Sequence, residues 1–220
     1  MSYYPLFLDL NDRPCVVIGG GRIAADKTHA LLEVRACVTV IAQDLIGSLA
    51  DLAAVGRIKH TARLYHAGDL AGSVLAISAT DDSAVNRLVW EEGRSSGVLV
   101  NVVDDVPLCD FIAPSVIRQG DLTVAISTSG KAPALAVRIR ESLEEKFGPE
   151  YARFLELAGA IRQSLAEKNP DFNTRRTLWY RLVDSDILDL LRAGDEDAAY
   201  QKIEDIMGVP PVSLKTGAHV

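Results

Sequence analysis

Short β-branched runs separated by amphipathic stretches organise the first half of the chain. Pro14 to Ile18 is a continuous apolar run that stops at three glycines, and Ile23 to Leu32 then carries apolar residues at helical spacing. The alternation continues. Cys37 to Ile41 reads as a second buried strand, Ile58 to Tyr65 as a third with poorer apolar content, and Val74 to Ser78 as a fourth. A helix over Ser83 to Ser95 and a fifth strand over Val98 to Val102 complete the series. Strands that are apolar on consecutive residues are buried on both faces, so the pattern predicts a parallel, two-sided sheet with right-handed crossovers.

Beyond Pro114 the rhythm changes. One strand, Leu122 to Ser127, is followed by a Ser/Thr/Gly turn and a long helical stretch from Pro133 to Lys146. From Tyr151 onward the pattern is helical, with breaks near Asn169-Pro170, Asp184 and Gly194-Asp195 and a final Pro210-Pro211 tail. The expected organisation is α/β: a Rossmann-like domain over 1–113, a short linking module over 114–148 and a helical domain over 149–220.

Composition narrows the functional classes. Of 220 residues 48% are hydrophobic and 24% charged, an ordinary globular balance. Lys and Arg number 23 against 30 Asp and Glu, so the net charge of −7 argues against broad affinity for nucleic acid or an anionic membrane. Any anionic ligand needs a local basic pocket. The longest uncharged stretch, Leu70 to Thr80, is 11 residues, short of the roughly 20 that span a bilayer. The start of the chain has no basic region before Asp9, so no secretory leader is expected and the cytoplasm is the expected location. Cys15, Cys37 and Cys109 form no CxxC pair, and Cys15 and Cys37 lie in apolar runs that suit core thiols. His29, His60, His66 and His219 form no metal-binding pattern, and no metal site is expected.

Candidate chemistry begins at the glycines. Gly19, Gly21 and Ala24, with Arg22 and Ile23 between, fit G-x-G-x-x-A directly after a strand and at the start of a helix, where a pyrophosphate would face the helix N-terminus. A ribose-binding carboxylate is expected about 20 residues on; Asp44, with Gln43, is the candidate, although Asp44 could equally cap a helix. Asn101 to Asp105 comes at the carboxyl end of the fifth strand, where ligands bind in open α/β sheets, and adjacent acids there suit a proton acceptor as well as a solvated turn. Ser127, Thr128 and Lys131 follow a strand and precede a helix, a geometry suited either to an anionic group or to simple capping. Arg118, Arg138 and Arg140 lie nearby in sequence and would extend a basic patch, with solvated helix charges as the plainer reading.

These segments, with Tyr4 to Leu8, Lys27, Ala79 to Asp82 and Cys109 to Ser115, together resemble the precorrin-2 dehydrogenase/sirohydrochlorin ferrochelatase family, the N-terminal module of sirohaem synthases. The resemblance runs in order from residue 4 to about residue 145. It implies oxidation of precorrin-2 to sirohydrochlorin with NAD⁺, in many members followed by Fe²⁺ insertion, and a homodimer formed by the middle and helical segments. It implies Asp104 as proton acceptor, Gly19, Gly21, Arg22, Ile23, Gln43 and Asp44 as cofactor positions, and Thr80 near the nicotinamide. Thr128 stands where some relatives carry a serine beside the tetrapyrrole. Fusions in the family add a methyltransferase domain, which would not be expected in a chain stopping at Val220. The competing expectation is a non-catalytic module that senses NAD(H), for which the Asn101 to Ser115 block has no evident use.

Overall fold

The computed structural model describes residues 3–210, which divide between Ala113 and Pro114 into two compact units. In the first unit, β1 (Pro14–Ile18), α1 (Arg22–Glu33), β2 (Cys37–Ile41), α2 (Gly47–Ala54), β3 (Lys59–Thr61), β4 (Leu75–Ser78), α3 (Ser83–Ser96) and β5 (Leu99–Val102) follow in order. The strands form one parallel sheet in the order β3-β2-β1-β4-β5. Strand order reverses between β1 and β4, the switch point at which such sheets open a crevice at their carboxyl ends.

Consecutive residues of β1 serve opposite layers. Cys15 and Val17 pack with Val38, Val40 and Ile77 against Ala24, Ala25 and Leu31 of α1 and Leu49 of α2. Val16 and Ile18 pack with Ala76, Val100 and Val102 against Val89 of α3. That two-sided burial is why these strands read as unbroken apolar runs. Register keeps the strand ends level: Ile18 pairs with Ile41 and with Ser78, and Ser78 with Val102. Residues that follow β2, β1, β4 and β5 therefore emerge on one edge of the sheet.

Two expectations need correction here, and one element was missed. The third strand spans only Lys59–Thr61, at the edge of the sheet, where its three residues are at most partly buried, and residues 62–74 leave as an irregular loop without a crossover helix. The helix α2 does not stand out in the pattern, since its eight residues bury only Leu49. Cys37 is exposed: it is the first residue of β2, and only its successors enter the core.

The second unit opens with an antiparallel hairpin, β6 (Ser115–Gln119) and β7 (Leu122–Ile126), where one strand was expected. In β6 only Ile117 is fully buried, so its alternation is weak. Gly120 makes the hairpin turn at φ 56°, a conformation that favours glycine. Helices α4 (Pro133–Glu144), α5 (Pro149–Lys168), α6 (Phe172–Val183), α7 (Ile187–Arg192) and α8 (Glu196–Met207) follow. Leu157, Ile161 and Leu165 form one stripe of α5, packed with Leu182, Ile187, Leu191, Ile203 and Met207. The breaks fall where expected: Asp171 and Asp195 cap α6 and α8 by accepting from Thr174 N (2.7 Å) and Ala198 N (3.1 Å), and Gly194 turns at φ 76°. Pro211 and His219 lie outside the described residues.

Candidate functional site

The turn after β1 is shaped by steric demands that differ from glycine to glycine. Gly19 sits at φ 119°, and a Cβ there would lie 2.3 Å from the Ala79 carbonyl oxygen. At Gly20 a Cβ would lie 1.9 Å from the Asp44 carbonyl oxygen. Around Gly21 no protein atom comes within 4 Å of that position. Two glycines thus let strand ends approach, and the third faces open space. The pattern had assigned Gly20 no role, yet its carbonyl also accepts from Ile46 N at 2.9 Å and ties the turn to the β2–α2 connection. Close approach of a distant chain leaves no local signature.

Gly21 is the N-cap of α1 in an extended conformation, and no side chain caps that helix or puts an acid in its first turn. The backbone N–H groups of the first turn, with Arg22 and Ile23 as its first residues, are left for an external acceptor. The adjoining cleft, about 450 Å³, is lined by Gly19, Gly20, Gly21, Gln43, Asp44 and Thr80 among others. Five sequence candidates, Gly19, Gly21, Gln43, Asp44 and Thr80, from three strand ends and one helix cap, therefore share a single crevice at the switch point. Asp44 is not a helix cap, since α2 begins later and has Ile46 at that position, so the capping alternative falls. Arg22 and Ile23 begin the helix beside the cleft and do not line it.

Its remaining wall was not expected from sequence. Leu64 and Tyr65, in the irregular loop after β3, face the same cleft. Glu92 of α3 anchors that loop by accepting from the Tyr65 hydroxyl, from Gly68 N at 3.0 Å and from Leu70 N at 2.9 Å. Arg63 donates to both oxygens of Asp69, at 2.7 and 2.6 Å, and Asp69 accepts from His66 N at 2.7 Å. The Arg63 guanidinium holds the Asp69 carboxyl below the usual aspartate range. Burial, followed by the Glu92 partner, pushes the Tyr65 phenol upward and keeps it a donor.

Thr80 follows β4 with its hydroxyl accepting from Asp82 N at 3.2 Å, which leaves its own proton to donate. Asn86, bonded to Ser78 Oγ at 2.6 Å, donates to the Thr80 carbonyl at 3.1 Å and fixes that strand end. Asp104, after β5, is one strand further along the same edge. It does not line the cleft. Its backbone is left-handed at φ 62° and its side chain exposed. Three strand spacings of ~4.8 Å put its strand about 14 Å from that of Asp44.

In the second unit, the hydroxyls of the Ser/Thr turn are used internally. Ser127 Oγ accepts from Ser129 N at 3.0 Å and Thr128 Oγ1 from Ala132 N at 3.2 Å. Each retains a proton to donate outward, and Lys131 is exposed. The basic patch shrinks, because Arg138 pairs with Glu141 at 2.9 Å and Arg140 with Glu144 at 2.5 Å along α4. Short i,i+3 and i,i+4 spacing on one helix decides that pairing. Among the described residues no group of three or more His, Cys, Asp or Glu side chains is arranged to hold a metal ion, and no helix is long and apolar enough to cross a membrane.

Comparison with known proteins adds three successive family matches. Residues 6–115 match an NAD(P)-binding family, residues 119–146 the sirohaem biosynthesis protein central region, and residues 150–207 the sirohaem synthase dimerisation region. A sirohaem synthase of Photobacterium profundum is 41% identical over 203 residues, 92% of this chain and 43% of that protein. One of Methylobacillus flagellatus is 37% identical over 207 residues, 94% of this chain and 44% of that protein. The chain thus spans less than half the length of these curated relatives. The solved structure of "SirC, precorrin-2 dehydrogenase" superposes with a TM-score of 0.76 at 26% identity, covering 92% of this chain and all of that one. An open first helical turn, an acid after β2 and a matching order of regions along the chain agree with one another: this protein binds a nicotinamide dinucleotide through its first unit and belongs to the sirohaem synthase and precorrin-2 dehydrogenase family.

Proposed function

We propose that this chain oxidises precorrin-2 to sirohydrochlorin, with NAD⁺ as hydride acceptor and Asp104 as proton acceptor. The observation that carries the proposal is the order along the sheet edge: Asp44, the glycine turn and Thr80 meet in one cleft, and an exposed carboxylate follows one strand beyond. A bound nicotinamide would supply the hydride acceptor, and the substrate carbon framework gives up an accompanying proton. The chain supplies the rest. The first turn of α1 holds the pyrophosphate, Asp44 accepts from the ribose hydroxyls, and the Thr80 hydroxyl orients the distal end. Loss of two hydrogens from the substrate balances as one hydride, for which the cofactor would be the acceptor, and one proton, which the Asp104 carboxylate takes. A carboxylate at the strand 2 position disfavours a 2′-phosphate by like charge, which supports NAD over NADP.

Precorrin-2 carries eight carboxylates, and a protein of net charge −7 must meet them with local donors. Ser127, Thr128 and Lys131 are suited to one such group, two hydroxyl donors and one ammonium on a single turn. The relatives' name supports Fe²⁺ and sirohydrochlorin as further substrates, with Asp104 withdrawing pyrrole protons during insertion. The dimerisation-region match supports a homodimer. Free thiols at Cys15, Cys37 and Cys109 suit the reducing cytoplasm.

The test is anaerobic incubation of the purified chain with precorrin-2 and NAD⁺, followed by NADH absorbance and the sirohydrochlorin spectrum. Turnover is expected, and Asp104→Asn should lower kcat by roughly 10²- to 10⁴-fold, the range of a general base. Tight NAD⁺ binding with no turnover would favour the sensing module, and full activity of Asp104→Asn would remove that residue from the reaction.

A further inference from the structure

Asp104 has an uncommon backbone conformation, φ 62°, in a turn bracketed by side chains to which the sequence pattern assigned no part. A left-handed backbone is uncommon for aspartate and persists where its surroundings hold it. The surroundings are unusually explicit. The Cys109 thiol lies 3.1 Å from the Val102 carbonyl oxygen and 3.3 Å from that of Asp105, one before and one after the turn that carries Asp104. Its single proton can serve either acceptor. Asn101, buried within β5, donates to the Phe111 carbonyl at 2.9 Å and approaches the Cys109 sulfur at 3.4 Å. Asp110 completes the attachment: its carboxylate accepts from Val100 N at 2.9 Å, and its own N–H donates to the Val100 carbonyl at 2.8 Å. Because β5 is an edge strand, these bonds occupy backbone groups that no further strand claims.

We propose that residues 109–111 act as a strap along β5 and that Cys109 is a positioning residue, whose thiol sits between the two ends of the turn, donates to one or the other, and sets where the Asp104 carboxylate stands. The proposal rests on the reading of Asp104 as proton acceptor. Burial pushes the Cys109 thiol above its ordinary range, so it stays protonated and able to donate. Valine approximates the thiol's bulk without its donor, whereas serine keeps a donor. Displacement of a reacting group by about 1 Å can lower the rate on the order of 10²-fold.

The full chain is assayed for kcat, KM for precorrin-2, NAD⁺ affinity and pH–rate profile. Cys109→Val is expected to lower kcat at least tenfold with NAD⁺ affinity within twofold of the parent and a displaced rising limb of the profile. Cys109→Ser is expected to recover kcat to within threefold. Asp110→Ala, which frees Val100 N and leaves the thiol in place, should produce the same split and serves if Cys109→Val does not fold. A Cys109→Val enzyme with unchanged kcat and profile overturns the strap, as does equal loss in the valine and serine variants. Asp104→Asn, run beside them, separates the two claims: an inactive Asp104→Asn with a normal Cys109→Val defeats the strap alone, and an active Asp104→Asn defeats the assignment on which it rests.

Discussion

Replacing Gly20 and Gly21 separately by alanine should produce two different failures from neighbouring positions. At Gly20 the new methyl would stand 1.9 Å from the Asp44 carbonyl oxygen and 3.0 Å from Ala42 Cβ, so the β2–α2 connection must retreat before an ordinary contact of 3.4–4 Å is regained. That movement loosens the bond from Ile46 N to the Gly20 carbonyl. Overpacking of this kind costs about 1–3 kcal/mol, which for a unit of this size lowers Tm by roughly 4–12 °C. At Gly21 the methyl meets no protein within 4 Å, and the φ of −88° suits alanine, so Tm should stay within about 2 °C. Its methyl instead occupies the space before the first turn of α1. Losing one charge-assisted bond to the pyrophosphate costs about 1.5–3 kcal/mol, a rise in the NAD⁺ dissociation constant of roughly 10- to 150-fold. Thermal denaturation and calorimetric titration with NAD⁺ read the two effects separately. Gly21→Ala that binds NAD⁺ like the parent, or that melts as early as Gly20→Ala, would refute the assignment of open space at Gly21 to the pyrophosphate.

Two further outcomes follow from the same unit. Asp44→Asn removes the carboxylate that faces the cleft and should narrow the ratio of NADP⁺ to NAD⁺ dissociation constants at least tenfold, measured by parallel titrations; an unchanged ratio would show that Asp44 does not meet the ribose. Arg63 holds Asp69 below its ordinary range, so the pair's contribution is complete above about pH 4 and is lost as pH falls through the depressed value. Fluorescence of the cleft wall at Tyr65 should therefore change at lower pH in the parent than in Arg63→Gln, and coincident transitions would exclude the pair as the loop's anchor.

Much of the first unit is legible along the chain because its signals are local. A strand buried on both faces must be apolar at consecutive positions and a tight turn before a helix selects glycine, so β1, α1 and the turn at Gly19 and Gly21 could be read directly, whereas Asp44 was legible only as a candidate until the start of α2 removed the capping alternative. Hydroxyls at Ser127 and Thr128 were equally visible, although their use within the turn was not. Periodicity reports which face a residue turns inward and is silent about which distant segment it meets. Gly20 is demanded by Asp44 across two elements, Tyr65 reaches the cleft because Glu92, 27 residues later, holds its loop, and Cys109 closes a turn that begins seven residues earlier at Val102. Cys37 shows the same limit in reverse: an apolar run predicted a buried thiol, and its place at the mouth of the strand left it exposed. Local chemistry chose the elements and their candidate groups. Strand order and packing, which depend on contacts far apart in the chain, decided which of those groups share a cleft and which backbone positions can hold them there.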